Sequence, residues 1–154
     1  MLPAGVKAPS FFLRTIAGGQ MTLEEILRHA PVLLVFYKGS CPVCQFALPF
    51  LERIRDNSGI RIFLISQDDA KSTQRFLKEF KLSLPVLLDG KDLRYPASNA
   101  FQISSVPSFF QVECDATISE AWEGWGKADM QALSRRAAMP IFHEGDRVPE
   151  LRPG

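Results

Sequence analysis

Histidine, tyrosine and cysteine are scarce in this chain: 154 residues hold two histidines, two tyrosines and three cysteines. Three cysteines do not make a disulfide framework. A structural zinc site would need Cys114, His29 and His143 beside the one close cysteine pair, and none of them has the paired spacing of a zinc ligand set. No metal ligand is therefore assigned. No apolar run approaches the length of a membrane span. There is no basic cluster, and the formal net charge is +1, which disfavours nucleic acid and anionic membranes as partners. No charged-then-apolar leader is visible. As written the protein is expected in the cytoplasm, or in the periplasm or another extracytoplasmic space if a leader was trimmed. Internal repeats and low-complexity segments are absent.

What is present is apolar bulk. Hydrophobic residues make up 46% of the chain and twelve residues are phenylalanine, enough to bury a proper core and to argue against disorder. One domain is expected over residues 1–139. Residues 140–154, with their prolines and charges, read as an extended or mobile tail.

The most informative stretch is Val32–Glu52. Val32–Tyr37 is a short apolar run, the pattern of a strand buried on both faces. Lys38-Gly39-Ser40 is a turn, followed by Cys41-Pro42-Val43-Cys44 and then Phe46, Leu48, Phe50, Leu51 and Ile54 at helical spacing. Pro42 suits the first helical position, where its missing N–H has no partner to lose. Cys41 is then the N-cap, at the positive end of the helix dipole, which favours a negatively charged sulfur. Cys44 lies one turn further in, within reach of Cys41. A strand–CxxC–helix order is the context of a dithiol–disulfide pair. Gln45 in place of histidine after Cys44 rules out haem attachment.

The remaining elements alternate. Ser10–Ile16 reads as a strand with a turn at Ala17–Gln20, and Thr22 caps a short helix. Ile60–Ser66 is a strand. The acidic pair Asp68-Asp69 reads as capping for an amphipathic helix over Ala70–Phe80. Leu84–Asp89 is a strand and Pro96–Phe101 a short helix. Val106-Pro107 precedes Ser108–Glu113, which pairs antiparallel with Thr117–Trp122, and Lys127–Ala138 closes the domain. Strands alternating with helices and then a terminal hairpin argue for an α/β sandwich with a mixed sheet.

These residues together resemble the thioredoxin-like superfamily, in which a cis-proline loop faces the CxxC. Pro107 matches that proline and Val106 the residue before it, and Pro49 matches the proline that kinks the active-site helix. Within the superfamily the chain is similar to the TlpA-type thiol–disulfide oxidoreductases and the AhpC/TSA proteins. The likeness runs from Gly5 to Met139 and includes the opening Gly5–Leu13 and the Pro85-Val86-Leu87-Leu88-Asp89 segment. It implies a three-layer sandwich with a mixed central sheet, flanking helices and an N-terminal hairpin extension. It also implies exchange of disulfides with proteins, and no cofactor beyond a redox-active Cys41–Cys44 disulfide. The partners would be disulfide-containing or dithiol proteins and an upstream thiol reductant, with the protein itself a monomer.

In this reading Cys41 is the nucleophile and Cys44 resolves the mixed disulfide. Val106 and Pro107 contact substrate. Pro42 and Val43 tune the couple; proline there withholds an N–H from the sulfur, so the thiolate is expected to be less favoured than in the most oxidising relatives. Lys38, three residues upstream, is placed to stabilise a thiolate. Two departures stand out. Ser40 replaces the tryptophan usual before the first cysteine. Val35 and Ala47 stand where a buried carboxylate is often found. A peroxiredoxin-like peroxidase is the alternative, but Leu34 and Lys38 occupy the positions of its proline and hydroxyl residue. A non-enzymatic thiol or metal-binding module on the same fold is a third reading. Cys114, alternating with Phe110 and Val112, is expected to face inward as a small hydrophobe.

Overall fold

The computed structural model describes all residues, Met1–Gly154. β1 (Phe12–Thr15) and β2 (Gln20–Thr22) form the N-terminal hairpin, and α1 (Leu23–Leu27) follows. Thr22 caps α1 by accepting the Glu25 N–H at 3.1 Å. Then come β3 (Val32–Tyr37), α2 (Pro42–Glu52), β4 (Arg61–Ser66), α3 (Ala70–Glu79), β5 (Val86–Leu88), α4 (Pro96–Ala100), β6 (Ser108–Val112) and β7 (Ile118–Glu123). The chain closes with β8 (Trp125–Gly126), α5 (Lys127–Ala137) and β9 (Leu151–Arg152). No helix is long and apolar enough to cross a membrane.

One seven-stranded sheet runs in the order β2-β1-β5-β4-β3-β6-β7. β3 is an interior strand next to the central β4, parallel to it and antiparallel to β6. All six of its residues are buried, and they divide by period two. Leu33, Val35 and Tyr37 enter one apolar cluster with α2, Phe76 of α3, and Met130 and Leu133 of α5. Val32, Leu34 and Phe36 enter the other with α1, Ala97 and Phe101. Helices thus cover both faces, which is why the strand reads as a continuous apolar run. Each such fully buried side chain contributes about 1.5–3 kcal/mol of transfer free energy. The architecture is the thioredoxin-like α/β sandwich with its mixed sheet and N-terminal hairpin.

Register decides which loops meet. Phe36 pairs with Ser108 and Tyr37 with Ser66, while Ser108 also pairs with Glu123. The segments after β3, β4 and β7, and the one before β6, therefore all emerge at one end of the sheet. This is the carboxyl end of the parallel strands, where α/β sheets place their sites.

Two expectations change in the structure. The segment after α5 is packed rather than extended. Ile141 is buried in the α2–α5 cluster, Phe142 lies edge-on to Phe50 at 5.6 Å, and Arg53 forms a two-pronged pair with Asp146 at 2.5 and 3.2 Å. Apolar side chains at Ile141 and Phe142 outweigh the polar composition around them. Cys114 is exposed, because β6 ends at Val112 and Cys114 lies in the turn that follows.

Candidate active site

The site grows from the turn between β3 and α2. Cys41 is the N-cap of α2, in extended backbone at φ −81° and ψ 117°, and Pro42 opens the helix. The Cys41 sulfur accepts the Cys44 backbone N–H at 3.2 Å. A helix start has N–H groups without intrahelical partners, and here one of them is aimed at the sulfur. On its other side the Cys41 thiol donates to the Val106 carbonyl at 3.3 Å. Val106 and Pro107 are joined by a cis peptide bond. The pairing of Phe36 with Ser108 brings that loop beside α2 across a long sequence separation.

The two cysteines differ in environment. Cys41 is partly exposed and Cys44 is buried, both as free thiols. Burial pushes the Cys44 thiol well above its ordinary range. The neighbouring Cys41 sulfur and the Asp68 charge push the same way, against a backbone hydrogen bond from Lys38. The pair is thus one partly exposed sulfur and one shielded thiol whose burial favours the neutral form. Cys44 packs near Tyr37, which is itself buried. The Tyr37 hydroxyl has no hydrogen-bond partner, although the Ser66 and Thr73 hydroxyls, bonded to each other at 2.7 Å, lie beside it.

The other residues singled out in the sequence divide. Pro42 and Ser40 are exposed at the rim, and Val43 is buried beneath it. The Lys38 side chain is exposed; its carbonyl accepts the Cys41 N–H at 3.1 Å. Pro49 lies inside α2, whose helical course continues past it. No three His, Cys, Asp or Glu side chains gather into a metal-ligand set.

The sequence pattern offers both Asp68 and Asp69 as caps of α3, and only Asp69 has that role. Asp69 caps α3 by accepting the Ser72 N–H at 2.7 Å. Asp68 instead accepts the Gly39 N–H at 2.7 Å, and the Gly39 carbonyl accepts from Gln45 Nε2, also at 2.7 Å. Gly39, two residues before Cys41, is thus held through both its backbone N–H and its carbonyl. The Asp-Asp doublet carried the signal, but only the β3–β4 register brings Asp68 to the turn.

Fold and site together define a thioredoxin-like thiol–disulfide oxidoreductase. Residues 4–121 match the AhpC/TSA family, and the chain belongs to that family. It is 24% identical over 124 residues to the thiol–disulfide oxidoreductase ResA of Geobacillus kaustophilus, covering 78% of this chain and 69% of that one. It is 32% identical over 117 residues to the methylamine utilization protein MauD of Methylobacillus flagellatus, covering 74% of this chain and only 54% of that one. Among solved structures, the thioredoxin domain of a thiol–disulfide oxidoreductase from Bacteroides vulgatus superposes with a TM-score of 0.76 at 20% identity, covering 88% of this chain and 98% of that domain.

Proposed function

We propose that the protein exchanges disulfides with protein substrates through Cys41 and Cys44. The observation that carries this reading is the Cys41 sulfur, held between the Cys44 N–H and the Val106 carbonyl at the rim of α2. Cys41, as thiolate, attacks one sulfur of a substrate disulfide. The substrate S–S bond breaks, a Cys41–substrate bond forms, and the released substrate thiolate takes up a proton. Cys44 then gives up its proton and attacks Cys41 Sγ. The substrate leaves as a dithiol, and the two electrons it gained are matched by the new Cys41–Cys44 disulfide. An upstream thiol reductant restores the dithiol; with the opposite partners the sequence runs in reverse.

Val106 and Pro107 present the backbone against which substrate docks, and Pro42 and Val43 set the couple. The protein works as a monomer and needs no cofactor beyond the cysteine pair. An extracytoplasmic location suits it, since protein disulfides persist in oxidising compartments. Peroxide reduction is less well supported. Leu34 is buried in the cluster on the opposite face of the sheet from α2, and Lys38 points to solvent, so neither supplies a hydroxyl beside Cys41.

The test is a trap. Cys44→Ser mixed with an oxidised protein should accumulate a mixed disulfide through Cys41, while Cys41→Ser forms none. If Cys44→Ser forms no adduct and the wild-type pair shows no reversible couple against glutathione, the reading is wrong.

A further inference from the structure

The segment 149–154 is tied down beside the reactive sulfur. β9 pairs antiparallel with β8, Arg152 opposite Trp125 and Leu151 opposite Gly126. Lys127 N–H donates to the Glu150 carbonyl at 2.9 Å, and Trp125 Nε1 donates to the Pro149 carbonyl at 2.7 Å. The Arg152 guanidinium lies 5.1 Å over the ring of Phe46, on the active-site helix. Past β9 the chain enters a slot between Gly124 and Val106. A Cβ on Gly124 would stand 2.6 Å from the Arg152 carbonyl oxygen and 3.0 Å from Gly154 N. A Cβ on Gly154 would stand 2.5 Å from the Val106 carbonyl oxygen. Gly124 also holds φ +73° and donates its N–H to the Pro107 carbonyl at 2.9 Å. Only glycine on each side leaves room for the passing backbone.

The Val106 oxygen that Gly154 approaches is the one that accepts the Cys41 thiol. Pro107 beside it is buried. A substrate chain reaching Cys41 along this loop needs the space that Pro153 and Gly154 fill. We propose that Leu151–Gly154 is a self-docked strap that occupies the peptide-docking position beside Val106, and that a peptide substrate binds by displacing it.

The inference rests on the exchange activity proposed above. The strap is held by a two-residue ladder and a tight slot, not by buried side chains; Leu151 is 77% exposed. Such short pairing opens at low cost. The natural competitor is an extended peptide offering the same backbone. A small disulfide without a peptide backbone does not need the slot. The family match ends at residue 121, so the strap belongs to a part of the chain outside it.

Two full-length substitutions act on the strap by different routes. Arg152→Pro removes a β9 N–H and the cation over Phe46. Gly154→Val drives a side chain against the Val106 carbonyl. The reduced proteins are mixed with insulin as a peptide disulfide and with hydroxyethyl disulfide as a small one. Both substitutions should speed the insulin reaction about fivefold or more, the gain expected when a mostly occupied site becomes free. The hydroxyethyl disulfide rate should stay unchanged, and so should the melting temperature. Equal insulin rates in all three proteins overturn the strap. Absence of reaction with hydroxyethyl disulfide in all three overturns the exchange activity itself. A second readout is independent of turnover: in the Cys44→Ser protein joined through Cys41 to a cysteine peptide, the Arg152 amide, opposite Trp125 in the ladder, should lose hydrogen-exchange protection. Retained protection there also overturns the proposal.

Discussion

The Asp68 carboxylate accepts the Gly39 N–H at 2.7 Å, across the gap between the β4–α3 and β3–α2 loops. With Gln45 on the Gly39 carbonyl, it fixes the turn that delivers Cys41 to the N-cap. Asp68→Ala leaves a part-buried donor without a partner and should cost about 1–2 kcal/mol, read by urea titration. Asp68→Asn keeps an acceptor and should recover part of that loss. The Asn variant also removes a charge that opposes ionisation of Cys44, after burial and the Cys41 sulfur. The alkaline limb of the resolving step should therefore move to lower pH. A pH–rate profile identical to wild type would show that Asp68 acts only on the turn.

Accessibility separates the cysteines. Iodoacetamide at mildly alkaline pH should label Cys41 and Cys114 and spare Cys44, which is buried and pushed upward in pKa. A peptide map after brief treatment checks this. The sign extends to stability. Because the Cys44 thiol is raised in the folded state, its contribution is present below the ordinary thiol value and is lost as pH rises above it. The reduced protein should weaken in alkali more than Cys44→Ser does. Rapid labelling of Cys44 in the native protein would contradict the site geometry.

Asp146 titrates in the opposite sense. The hydrogen bonds it accepts from the Arg53 guanidinium and the His143 N–H hold its carboxyl at about 2. A depressed carboxylate contributes stability above its unfolded value of about 3.9, and that contribution is lost as pH falls toward the folded value. The contacts around Arg53 should loosen in that acid window, seen as a change in Trp125 fluorescence. Asp146→Asn should show a weaker acid transition. An unaltered transition would assign the loss to other carboxylates.

Ile141 tests whether the closing segment is structural. It is 1% exposed and sits in the α2–α5 cluster. Ile141→Ala should cost about 2–5 kcal/mol, measured by denaturant unfolding. A cost below about 0.5 kcal/mol, typical of exposed sites, would mean that the segment only rests on the surface.

The sequence by itself determined the elements whose signals are local. The apolar run Val32–Tyr37, the turn, Pro42 at the first helical position and the spacing through Leu51 specify a strand, an N-cap cysteine and a helix, because each depends on neighbours within a few residues. The pairing of Cys41 with Cys44 follows from one helical turn. Pro107 was legible through its place before a strand and its likeness to the thioredoxin-like loop.

Tertiary structure decided what depends on register and on surfaces that meet. Asp68 and Asp69 are neighbours with the same side chain. Only the parallel pairing of β3 with β4 sends one to Gly39 and leaves the other to cap α3. Cys114 continues the inward alternation of Phe110 and Val112 in the sequence but lies outside, since the β6–β7 pairing ends before it. The packing of residues 140–154 was invisible in their polar composition. It arises from a few contacts distant in sequence: Ile141 in the α2–α5 cluster, Arg53 with Asp146, and β9 on β8. Sequence patterns report which residues want burial or a turn. They do not report which distant backbone groups will find one another, and that is where the surroundings of Cys41 were settled.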